Sequence, residues 1–70
     1  MKKFMKNLNV NDVILKENPN KIMIYLRDKL LFKGELKYFD SSTFLGKLDV
    51  YTYEYMNKEN KTMLIRVLEG

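Results

Sequence analysis

The chain reads as a small α+β domain. A short N-terminal helix is followed by two antiparallel β-hairpins separated by a one-turn helix, making a small four-stranded antiparallel sheet or an SH3-like open barrel. Three observations predict this. Val10, Val13 and Ile14 recur at helical spacing. Four later runs alternate between two faces with a period of two. And 70 residues with 46% hydrophobic content suffice for one core only.

Residues 1–8 read as a basic N-terminal arm, with Phe4, Met5 and Leu8 as anchors, and residues 9–70 as the single domain. Asn9 offers an N-cap, with Asp12 three residues later to complement the helix N-terminus. The helix spans 10–17. Asn18-Pro19-Asn20 stops it, because a residue before proline avoids the helical region. A helix this short does not persist alone, so it must dock.

In residues 21–27, Ile22, Ile24 and Leu26 point one way, and Met23, Tyr25 and Arg27 the other. In residues 30–37, Leu30, Phe32 and Leu36 oppose Leu31, Lys33 and Glu35. A three-residue loop, Arg27-Asp28-Lys29, pairs Leu26 with Leu30, Ile24 with Phe32 and Lys21 with Glu35; a slip of one would bury the lysine. Gly34 then faces Ile22, which suggests a bulge or a close backbone approach. Asp40 fits the N-cap of a one-turn helix stapled by Phe39 and Phe44, and Gly46 suits the left-handed residue beyond its end.

Residues 49–57 and 61–68 form the second hairpin across Lys58-Glu59-Asn60, with Asn60 accepting the left-handed conformation. Its register pairs Tyr55 with Met63, Tyr53 with Ile65 and Tyr51 with Val67. The other face pairs Val50 with Leu68, Thr52 with Arg66 and Glu54 with Leu64. A tyrosine face set among Met63, Ile65 and Val67 reads as core or interface before it reads as a base-stacking platform. Both hairpins retain apolar residues on their second faces, which marks contact with another chain. The candidate interaction surface is therefore Met23, Tyr25, Leu31, Tyr51, Tyr53, Tyr55, Leu64 and Leu68.

The chain contains no histidine and no cysteine. That removes serine–histidine and cysteine nucleophiles, disulfides and the commonest zinc ligands. Three scattered glycines make no phosphate loop. The nine carboxylates are spread along the chain and read as caps, turn residues and solvated charges. No catalytic residue, metal site or cofactor is expected, and the chain reads as non-enzymatic.

The net charge of +4 is concentrated in Lys2, Lys3 and Lys6. Removing these three from the thirteen basic residues leaves ten against nine acidic ones, so the body is nearly neutral. A phosphate-binding face needs clustered excess charge. Single-stranded nucleic acid is thus the alternative partner, held by Lys2, Lys3, Lys6 and Tyr53, with Tyr51 and Tyr55 beside it. No apolar run approaches the ~18 residues that span a bilayer, and no secretory signal is read at the start, so a cytoplasmic address is expected. Chains this short bury only roughly 60% of their unfolded surface, which favours a homo-oligomer, a dimer first, or another protein partner.

Leu8-Asn9-Val10-Asn11-Asp12-Val13-Ile14-Leu15, Ile22-Met23-Ile24-Tyr25, Leu31-Phe32-Lys33-Gly34 and a closing hydrophobic strand resemble small uncharacterised proteins of phages and mobile elements of low-GC Gram-positive bacteria. The resemblance covers most of the chain through hydrophobic patterns and one glycine. It departs at Arg27-Asp28-Lys29, where an Asp-Gly turn is expected. It implies a phage accessory protein that binds a host protein in the host cytoplasm by surface occupation, inhibition of a defence system being one form of that role.

Overall fold

The computed structural model describes residues 8–68. Helix α1 (Val10–Glu17) precedes β1 (Lys21–Leu26) and β2 (Lys29–Glu35); a 3-10 turn (Leu36–Tyr38) and a short α2 (Phe44–Lys47) lead to β3 (Val50–Asn57) and β4 (Thr62–Val67). The arm residues before Leu8 lie outside the described span. Leu8 itself belongs to the fold, since its carbonyl accepts from the Val50 amide at 2.9 Å.

α1 occupies residues 10–17 as its pattern predicts. Asp12 does more than complement the dipole. The Asp12 amide donates to Asn9 Oδ1, and the Asn9 amide to Asp12 Oδ2, both at 2.9 Å. This reciprocal box satisfies two backbone donors that the helix start leaves open. Asn18 ends the helix in the left-handed conformation, its amide donating to the Ile14 carbonyl.

The sheet is mixed, in the order β2-β1-β4-β3. The two hairpins are antiparallel, but the inner strands β1 and β4 run parallel. This corrects the all-antiparallel sheet. β2 and β3 are the two edges, so the sheet does not close into a barrel among the described residues. A parallel pair needs a long crossover, which residues 36–48 supply.

Bulges adjust both registers. Lys21, Ile22 and Ile24 face Glu35, Gly34 and Phe32 as expected, but Tyr25 then faces Leu30 and Leu26 faces Lys29. The turn is Arg27-Asp28 alone, with Arg27 at φ 57. Short hairpin turns favour positive φ because it matches strand twist. The extra residue is Leu31, which turns towards the core. In the second hairpin Tyr55, Glu54, Tyr53 and Thr52 keep their predicted partners, but Val50 pairs with Val67. Val50 is therefore core, and Tyr51 is left 65% exposed. Met56 is the other unpaired residue, and the turn runs through Lys58 to Lys61, with Lys61 rather than Asn60 at positive φ.

Two glycines carry different burdens from those expected. Gly34 has φ +156, and an added Cβ there would meet only ordinary contact with Phe32 at 3.6 Å, so conformation selects it and space does not. Gly46 lies inside α2 with Thr43 as N-cap, not beyond its end. A Cβ there would sit 2.6 Å from both the Ser41 carbonyl and Asn11 Oδ1, so it permits α2 to press on α1. Asp40 instead closes an Asx turn, accepting from the Ser42 amide and hydroxyl.

Val10, Val13, Ile22, Ile24, Val50, Met63, Ile65 and Val67 form one buried cluster between α1 and one sheet face. Full burial of each such side chain contributes about 1.5–3 kcal/mol. Leu36, Phe39 and Leu48 from the crossover pack against the same cluster, and Phe39 meets Phe32 edge-on with centroids 5.1 Å apart. One face of the sheet is thus closed by α1 and the crossover together.

Candidate interaction surface

The opposite face carries no helix among the described residues. Strand alternation puts Lys21, Met23 and Tyr25 of β1 on it, with their partners Thr62, Leu64 and Arg66 of β4. β2 adds Leu30, Lys33 and Glu35, and β3 adds Thr52 and Glu54. The middle row across the sheet therefore reads Lys33, Met23, Leu64, Glu54. Apolar side chains hold its centre and opposite charges stand at its two edges.

Leu64 is the centre of the patch. It is only 6% exposed, yet it lies outside the core cluster. Met23, Tyr25, Leu64, Arg66 and Met56 line a shallow depression of about 320 Å³ that extends to Arg27 and Asp28 in the turn. At one end Tyr51 and Leu68 line a second depression with Leu26, Arg27, Arg66 and Val67.

Of the predicted surface residues, Met23, Tyr25 and Leu64 come together on the open face, and Leu68 and Tyr51 sit at its end. Leu31 is drawn towards the core by its bulge. Tyr53 and Tyr55 lie on the covered face, packed against the core cluster. Leu30 and Met56, which sequence reading did not place on this surface, are 43% and 56% exposed. Both sit beside or in a bulge, and a one-residue bulge inverts facing without any residue type that announces it.

The tyrosines serve α1. The Tyr53 hydroxyl donates to Glu17 Oε2 at 3.2 Å, and the Tyr55 hydroxyl lies 3.2 Å from the Glu17 carbonyl and 3.4 Å from its Oε1. A carboxylate at a helix C-terminus opposes the dipole; here two hydroxyl donors offset that and tie the helix end to β3. Burial first, and then the neighbouring Glu17 carboxylate, raise the Tyr55 pKa above its ordinary value. The three tyrosines do not form one stacking platform, because Tyr51 is parted from the other two by its bulge. Lys2, Lys3 and Lys6 lie outside the described residues.

Among the described residues no three carboxylates gather into a metal-holding group, and no helix is long and apolar enough to cross a membrane. No family model matches the chain, and neither a curated protein nor a solved structure matches it.

Proposed function

We propose that this chain is a non-enzymatic protein-interaction module whose working surface is the uncovered sheet face. The observation that carries the reading is the near-burial of Leu64 on a face that no helix covers among the described residues, beside Met23, Tyr25 and Met56. A solvated sheet face ordinarily alternates to polar residues. An apolar centre rimmed by charge is the composition of a contact surface. Its centre supplies affinity, and Lys33, Glu54 and Arg66 around it set orientation and association rate.

The resemblance to phage and mobile-element proteins supports an accessory role in which the partner is a host protein, acted on in the host cytoplasm by occupying its surface. Inhibition of a defence protein is one form of that role. Immobilised wild-type protein is expected to retain one host protein from lysate, identified by the mass of the intact complex. Met23→Glu abolishes the capture, and Lys16→Glu on the exposed side of α1 keeps it. Capture indifferent to Met23→Glu overturns the reading. So does steeply salt-dependent binding of single-stranded oligonucleotides that Tyr53→Ala weakens.

A further inference from the structure

We propose that the uncovered face docks a second copy of this chain, face to face, about a two-fold axis parallel to the strands and lying between β1 and β4. The inference rests on the reading of that face as a docking surface and names its occupant. A host protein that uses the same face then competes with the second copy.

The charge layout selects this arrangement. Lys33 stands on one edge strand and Glu54 on the other, in the same row. Three strand spacings separate them, about 14 Å, too far for an ion pair within one chain. Among the described residues neither side chain makes an ion pair. A two-fold axis parallel to the strands lays β2 over the partner's β3 and β1 over the partner's β4. Lys33 then faces the partner's Glu54, and Met23 faces the partner's Leu64, each contact occurring twice as an isologous interface requires. In the next row Tyr25 faces the partner's Arg66, which suits a guanidinium over a ring. An in-plane axis perpendicular to the strands would instead set Lys33 on Lys33 and Glu54 on Glu54.

The area fits a reversible dimer. Four strands of about six residues cover a plan of roughly 19 by 20 Å, and side-chain relief raises this towards the ~600 Å² per partner at the low end of specific interfaces. A chain of 70 residues without cysteine or histidine also has few other supports.

The test uses sedimentation equilibrium of the full chain up to about 100 μM, the range in which a small interface of this kind associates. Wild type is expected to sediment at twice the chain mass. Lys33→Glu and Glu54→Lys each put like charges face to face in both copies and weaken the dimer at least about tenfold. An equimolar mixture of the two variants restores opposite charges at both contacts, so native mass spectrometry shows their heterodimer, and the double variant dimerises like wild type. Both residues are exposed, and unchanged circular dichroism confirms that the variants fold. A monomeric wild type, a dimer indifferent to the single reversals, or no heterodimer in the mixture overturns the proposal. Those outcomes leave the docking reading standing, because Met23→Glu and partner capture decide it separately.

Discussion

The covered and open faces of this sheet are built from alternate residues of the same four strands, yet among the described residues a helix closes one of them and none closes the other. Ile22, Ile24, Met63, Ile65 and Val67 meet Val10 and Val13 of α1 and become fully or almost fully buried. Met23, Tyr25 and Leu64 are apolar too, but they line a shallow depression with Met56 and the charged Arg27, Asp28 and Arg66. The difference lies in what is tethered above each face. α1 is held at its start by backbone bonds from Val10 to Leu48 and from Val50 to Leu8, and at its end by the tyrosine–Glu17 contacts. A two-turn helix stays ordered only because both ends are tied down. Among the described residues no helix is tethered in that way over the open face.

Substitutions sharpen the contrast. Ile24→Ala on the covered face leaves a cavity in a packed core and costs about 2–5 kcal/mol in urea unfolding. Gly46→Ala drives a methyl into the Ser41 carbonyl and Asn11 and costs about 1–3 kcal/mol. Because Gly46 lies against Asn11 of α1, this variant also shows faster hydrogen exchange in α1. Asn9→Ala removes the cap and costs about 1 kcal/mol, with fraying at the helix start.

Alkaline pH probes the other end of the cover. Tyr55 holds its proton more tightly folded than unfolded. That contribution is complete below pH 10 and is lost as pH rises through the raised folded-state pKa, so thermal stability falls above about pH 10. Tyr55→Phe should flatten that decline; an unchanged alkaline slope would break the assignment of the clamp. The smallest effect belongs to the open face. Met56→Ser, measured at concentrations where the chain is monomeric, changes unfolding stability by no more than about 0.5 kcal/mol.

Much of the covered face was legible because its signals are local. The α1 limits follow from Asn9, the Val10–Val13–Ile14 spacing and Pro19. The pairings of Ile24 with Phe32 and Tyr53 with Ile65 follow from alternation alone. The misplaced residues cluster at Leu31, Tyr51 and Met56, where one residue is inserted opposite none. Val50 and Leu31 therefore joined the core against their expected facing. The strand order also has a local signal. In the middle row of the second face the central strands β1 and β4 carry the apolar Met23 and Leu64, and the edge strands β2 and β3 carry the charged Lys33 and Glu54.

The sequence by itself determined one helix, two hairpins, a nearly neutral body and the loss of histidine and cysteine chemistry. These depend on backbone periodicity, capping and composition, which act over a few residues or over the chain as a whole. Only the tertiary structure decided that β1 and β4 run side by side, that Tyr53 and Tyr55 serve α1, and that Met23, Tyr25, Leu64 and Met56 share one open patch. Pairing between hairpins joins residues some forty positions apart, and its energy comes from burying faces together, which no local pattern encodes.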